Sequence, residues 1–115
     1  MSTIIWHNPR CSKSREALKI LEDNGMDVRI YKYLDEKPSI LEIKGMLEAL
    51  GISARALMRK KEALYKELGL SKVEDEEALI EAMHKYPKLI ERPIVIKDSK
   101  AIIGRPPQLI LDLIQ

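Results

Sequence analysis

The segment His7-Asn8-Pro9-Arg10-Cys11-Ser12-Lys13-Ser14-Arg15 concentrates the side chains of this sequence that can do chemistry, and Cys11, the only cysteine in 115 residues, is its centre. A free thiol has a pKa of about 8.5 and is mostly protonated at neutral pH. Cationic neighbours and a helix start bring reactive thiols down to roughly 3.5–7.5. Arg10, Lys13 and Arg15 crowd Cys11 along the chain, His7 can add charge, and the hydroxyls of Ser12 and Ser14 can donate to a thiolate. The plain alternative is a buried cysteine beside a charged helix face. The local setting favours the nucleophile, with a pKa expected below about 7.5.

Spacing excludes two familiar cysteine chemistries. A phosphatase loop needs a longer separation between Cys and Arg than the three residues between Cys11 and Arg15, and an ordinary thioredoxin site needs a second Cys where this chain has Ser14. With no second cysteine, an outside thiol must resolve any adduct on Cys11. Arg59, Arg92 and Arg105 are candidates for holding an oxyanion. Arg92 and Arg105 flank a predicted hairpin at its outer ends, which antiparallel pairing brings together, and two guanidinium forks facing a thiolate suit a tetrahedral oxyanion. Arg55 is a weaker candidate, because one turn from Arg59 on the same helix it could simply face water. His84 is assigned no chemistry, and the isomer of the Arg92–Pro93 bond is left open.

The elements that position these residues follow from periodicity and punctuation. Thr3 to Trp6 reads as a strand ending in the turn His7-Asn8-Pro9. A helix follows, capped by Ser12 or Ser14, with Ala17, Leu18 and Leu21 on its apolar stripe and Asn24-Gly25 at its exit. Val28 to Tyr33 is extended, then Asp35-Glu36-Lys37-Pro38 turns. Ser39 and Glu42 form a capping-box signature for a helix running to Gly51. Helical pieces are expected from Ser53 through Arg59, over Glu62 to Leu68, and over Asp75 to Lys85, none adding a strand. Ile94-Val95-Ile96 and Ala101-Ile102-Ile103 make a tight hairpin. A closing helix after Pro106-Pro107 puts Leu109, Ile110, Leu113 and Ile114 on one face. The order is βαβ, helices, ββα: an α/β, thioredoxin-like fold in a single domain over 1–115, with a helical insertion between the two halves at about 39–86.

Composition narrows the function classes. The chain is large enough to bury roughly two thirds of the surface its unfolded form exposes. Twenty basic against eighteen acidic residues leave a net charge of +2, and one Trp, four Tyr and no Phe offer little for stacking bases, so nucleic-acid binding is not expected. No long apolar run or basic, apolar leader is seen, and no membrane partner is expected for what reads as a cytoplasmic protein. One Cys and two His cannot make the usual four-ligand zinc site, so no metal is expected.

His7-Asn8-Pro9 with Cys11, Ser14-Arg15, Gly51-Ile52-Ser53 with Arg55-Ala56-Leu57 and Arg59-Lys60, Glu67-Leu68-Gly69-Leu70, Pro87 through Leu89-Ile90, Arg92-Pro93-Ile94-Val95, and Gly104-Arg105-Pro106 together resemble the glutaredoxin-coupled arsenate reductases, the ArsC family, over nearly the whole chain. The resemblance, to a short-chain branch of that family, implies that Cys11 attacks arsenate to form a Cys–S–As(V) adduct. It assigns Arg59, Arg92 and Arg105 to the oxyanion, and His7, Ser14 and Arg15 to support of the thiolate. It implies glutathione as co-substrate and glutaredoxin as the partner that resolves Cys11, with no bound cofactor. Ser12-Lys13 stands where the best-studied members carry Gly-Thr, and Pro106 is followed by Pro107, so the substrate is less strongly implied than the thiol chemistry. A glutathione-dependent thiol reductase with another substrate is one alternative. An Spx-like regulator that binds RNA polymerase is another, disfavoured because Ser14 removes its Cys-x-x-Cys switch.

Overall fold

In the computed structural model, which describes residues 3–114, the β-prone run Thr3–Trp6 forms strand β1 and Val28–Tyr31 forms β2. Helix α1, Ser12–Asp23, joins them, and the two strands pair in parallel from Thr3↔Val28 to Trp6↔Tyr31. Strand β3, Ile94–Lys97, lies antiparallel on the other side of β1, and β4, Lys100–Ile103, lies antiparallel to β3. The sheet order β2-β1-β3-β4 is that of the expected thioredoxin-like fold. The described residues form two compact units, residues 3–36 with 92–114, and Lys37–Glu91. The second unit extends slightly beyond the insertion expected at about 39–86; residues 1, 2 and 115 of the expected domain lie outside the described residues.

In the first unit, alternation along each strand selects the core. Ile5 is paired with Val95, and Val95 with Ile102, so these side chains share one face of the sheet. They pack with Ala17 and Leu21 of α1 and with Ile110; Ile5, Ala17, Leu21, Val95 and Ile110 are fully buried, and Leu18, Met26, Val28, Leu113 and Ile114 close around them. Fixing this face fixes the start of α1 against the carboxyl end of β1.

Three local expectations are corrected here. The extended pattern stops at Tyr31, because Tyr33–Glu36 forms a short helix, α2. Glu36 Oε2 accepts the Lys32 N–H at 3.3 Å, and the Lys32 carbonyl accepts from Asp35 and Glu36. That local bonding gives the backbone an alternative to continued strand. The hairpin reaches one residue further towards its turn than expected, through the pair Lys97↔Lys100, with Asp98 in the left-handed region at φ 58°. The closing segment is a 3-10 turn, Pro107–Ile110, followed by the last helix, α7, at Leu111–Ile114. Its tighter winding rotates Leu109 off the core face, to 37% exposed, while Ile110 stays buried.

In the second unit, Ser39 and Glu42 form the complete capping box at 3.0 Å in both directions, and α3, Ile40–Leu50, ends at Gly51 with φ 68°. Helix α4, Ala54–Leu57, is shorter than expected, because Met58 pairs with Ile90 as an isolated antiparallel bridge. The N–H of Arg59 donates to the Leu89 carbonyl at 2.7 Å, and that of Glu91 to the Leu57 carbonyl at 2.8 Å. Helix α5, Ala63–Glu67, and helix α6, Glu76–Lys85, follow, with Asp75 capping the latter. Helix α6 packs on α3 and α4 through buried Leu79, Ile80 and Met83. Arg55 does not face water. Its guanidinium donates to Tyr65 OH at 2.7 Å, to the Leu70 carbonyl at 3.1 Å and to the Val73 carbonyl, tying α4 to the chain beyond α5.

Candidate active site

Five residues, His7 to Cys11, connect β1 to α1. The sheet holds the first of them: the His7 N–H donates to the Tyr31 carbonyl at 2.9 Å. The loop then folds on itself, with the Cys11 N–H on the Asn8 carbonyl at 3.0 Å and the Arg10 N–H on Asn8 Oδ1 at 3.0 Å. Cys11 is the N-cap of α1, in extended conformation at φ −95° and ψ 122°, so neither Ser12 nor Ser14 caps the helix. Because an N-cap side chain lies over the unpaired N–H groups of the first turn, the sulfur occupies the position where a helix most favours negative charge.

Burial pushes the Cys11 pKa up, but the backbone N–H of Ser14, the charge of Arg92, the N–H of Lys13 and a hydrogen bond from Arg92 together bring it below the ordinary thiol value. The side chain forms no closed capping bond. The first-turn N–H groups therefore act on the anion through their orientation and partial charge. The thiol is partly exposed, as a nucleophile must be.

The source of the positive charge differs from the expected one. Arg15 Nη1 donates to the Pro9 carbonyl at 2.9 Å and so stiffens the loop, while Arg10 and Lys13 are exposed. The cation that acts on the sulfur is Arg92, eighty-one positions along the chain. The register explains it: Trp6 pairs with Ile94, so the residues just before β3 lie beside the loop just after β1. Arg105 Nη1 donates to the Arg92 carbonyl at 3.2 Å, bringing together the two arginines that flank the hairpin. Gly104 permits this approach. Its N–H donates to the Pro93 carbonyl at 2.9 Å, and a Cβ there would meet Ile110 Cδ1 at 3.0 Å and Pro93 Cγ at 3.1 Å. The Arg92–Pro93 and Arg105–Pro106 peptide bonds are both cis. Arg59 belongs to the second unit, where its guanidinium meets Glu62 Oε2 at 3.4 Å and the Lys88 carbonyl at 3.4 Å.

His7 and Ser14 are buried and bonded to each other, Ser14 Oγ to His7 Nδ1 at 2.7 Å. Ser14 Oγ also accepts the Asn8 N–H at 3.0 Å. Burial lowers the His7 pKa, and the charges of Lys32 and Arg15 lower it further, which favours the neutral ring. A buried hydroxyl needs an acceptor for its own proton, which assigns Nδ1 as that acceptor and places the ring hydrogen on Nε2. The Ser14 hydroxyl is thus engaged with His7 and the loop, and Ser14 reaches the sulfur through its backbone N–H. Ser14→Ala is expected to destabilise the fold by about 1–3 kcal/mol, since buried His7 and the half-buried Asn8 N–H both lose their bond. A urea titration that left the midpoint unchanged would count against this arrangement.

Among the described residues no three His, Cys, Asp or Glu side chains come together as metal ligands. None of the described helices is long and apolar enough to cross a membrane.

The chain matches the ArsC family over residues 6–113. It is 51% identical over 104 residues to an arsenate reductase of Neisseria meningitidis serogroup A, covering 89% of each chain. It is 46% identical over 116 residues to an arsenate reductase of Haemophilus influenzae, covering 99% of this chain and all of that one. A solved structure described as an arsenate reductase from Vibrio cholerae superposes with a TM-score of 0.95 at 49% identity, covering 97% of each chain.

Proposed function

The chain belongs to the ArsC family, and from that premise we propose that it reduces arsenate to arsenite with Cys11 as nucleophile and glutathione with glutaredoxin as reductant. One observation supports this above the rest: the lone thiol belongs to the N-cap residue of a helix, and its pKa is lowered by Arg92, whose carbonyl is in turn held by Arg105. In this reading the Cys11 thiolate attacks arsenic, an arsenate oxygen leaves as water after taking up protons, and a Cys–S–As(V) bond forms. Glutathione thiolate then attacks Cys11 Sγ. The S–As bonding pair stays on arsenic, which leaves as As(III), and the two sulfurs are left as a mixed disulfide. A glutaredoxin thiolate takes the glutathionyl sulfur and returns Cys11 as thiolate.

Arg92 and Arg105 bind and orient the oxyanion, and Arg59 is given the same role on the family resemblance alone. Guanidinium forks suit its oxygens and offset its charge as the thiolate approaches. His7, Ser14 and Arg15 hold the loop that carries the thiol. A cytoplasmic setting, reducing and supplied with glutathione, fits a lone unpaired cysteine.

The test is NADPH oxidation coupled through glutathione reductase, with glutathione and glutaredoxin present. Turnover is expected only with arsenate, and omitting glutathione should stop it. Arsenate-independent turnover of glutathionylated disulfides at the same rate would instead make the protein a general thiol reductase.

A further inference from the structure

A cavity of about 260 Å³ opens beside the loop that carries Cys11, within the first unit. His7 to Arg10 line it from the loop after β1, and Lys32, Leu34 and Asp35 from the chain after β2. Small-molecule sites usually run from about 300 Å³ upwards, so this cavity suits one end of a ligand better than a whole one. Its charges are of both signs. Ion pairs among the described residues include Lys19–Asp23, Lys44–Glu77, and Arg59 and Lys88 with Glu62, none of which involves a residue of this lining. Arg10, Lys32 and Asp35 line the same cavity, and no ion pair joins any of them to another described residue. Two cations and a carboxylate, kept apart around one cavity, match a group that itself carries a carboxylate and an ammonium.

The geometry points to this cavity as the subsite for the zwitterionic α-amino-acid end of the thiol co-substrate, its carboxylate on Lys32 and Arg10 and its ammonium on Asp35. This rests on the thiol-coupled reading above, and it adds where the co-substrate is held. Cys11 lies three positions after Asn8, at most about 11 Å of chain, and an extended tripeptide spans about 10 Å. A ligand anchored by one end in the cavity can thus bring a thiol near Sγ. Anchoring it there turns attack on the adduct into a step between bound partners. Neither Arg92 nor Arg105 lines this cavity, so the subsite does not overlap the oxyanion role given to them above.

The test is a titration of the full chain with S-methylglutathione, which cannot react, followed by amide chemical shifts. Shifts are expected at residues 7–10 and 32–35. Asp35→Asn and Lys32→Gln should each weaken binding about tenfold, the loss expected for one charge-assisted contact, with retained spectral dispersion showing that each variant folds. Acetylating the α-amino group of the ligand should weaken binding to the wild type and have little effect in Asp35→Asn. In turnover, the ratio of kcat/KM for glutathione to that for 2-mercaptoethanol should fall about tenfold in either variant. Wild-type affinity in both folded variants, or shifts that map away from the cavity, would overturn the proposal. Because the titration needs no arsenate, intact binding with no arsenate turnover removes the reductase reading alone. Glutathione-dependent turnover with no binding at the cavity removes this proposal alone.

Discussion

Cys11→Ser is expected to lower arsenate-dependent NADPH oxidation by a factor on the order of 10³ or more, and to leave the fold as stable as before or slightly more stable. The loss follows from the chemistry of the position. A serine hydroxyl stays protonated where a thiol ionises, and a Ser–O–As bond offers glutathione no sulfur to attack. No other cysteine can substitute, since the chain has only one. The stability half follows from where the residue sits. Cys11 is the N-cap of α1 and makes no side-chain capping bond there. Serine is among the best N-cap residues, and gaining the cap is worth up to about 1 kcal/mol. The wild-type chain thus places a weaker cap at this helix start, and the reactive sulfur is what it has in exchange. Coupled-assay rates and thermal midpoints, measured on the same preparations, check both halves. Turnover close to wild type would remove Cys11 from the mechanism, and a large fall in midpoint would show that the thiol is structural.

Strand β1, the capping box of Ser39 and Glu42, and the two strands of the hairpin are legible in the sequence because each is specified by neighbours a few residues apart. So is the placement of Cys11 at a helix start. What escapes is set by partners distant in the chain. The proximity of three cations in sequence draws attention to Arg10, Lys13 and Arg15, but a side chain at the start of a helix points where the turn directs it, and Arg15 is engaged by the Pro9 carbonyl. Arg92 reaches the sulfur's surroundings only because β3 pairs with β1 in a particular register. That register could have been sought by aligning Ile94-Val95-Ile96 against Thr3 to Trp6 so that core positions face together. Arg55 looks in sequence like a charge that could simply face water, yet it satisfies two carbonyls and a tyrosine hydroxyl contributed by later segments. His7 and Ser14 are visible as polar residues flanking the thiol, but only their burial and mutual bond show that the neutral ring is favoured and the hydroxyl is occupied. The short helix α2 and the Met58–Ile90 bridge leave no periodic trace, being too brief for one.

Arg92→Ala is expected to separate the two tasks that meet at Cys11. Without the guanidinium, burial of the sulfur is opposed only by the N–H groups of Ser14 and Lys13, so the thiol pKa rises towards its ordinary value. The rate of alkylation by iodoacetamide, followed against pH, should then shift to higher pH and fall at pH 6–7, with the fully ionised rate at high pH little changed. Arsenate use should suffer more, because one of the arginines that hold the oxyanion is also gone: kcat/KM for arsenate should drop by about 10²–10³, the usual scale for losing one preorganised donor to a developing charge. Arg92→Lys sharpens the distinction. It keeps the positive charge and loses the fork, so the alkylation profile should stay close to wild type while arsenate turnover remains impaired. The same shift has a sign in stability. A thiol whose folded pKa lies below its unfolded value contributes stability that is present above the unfolded value, about 8.5, and fades as pH falls through the folded value. Wild type should therefore gain more stability than Arg92→Ala on going from pH 6 to pH 9, as read from urea midpoints at the two pH values. Parallel loss of alkylation and arsenate turnover in Arg92→Lys would mean that Arg92 acts on the thiol alone, and the oxyanion role would pass to Arg105.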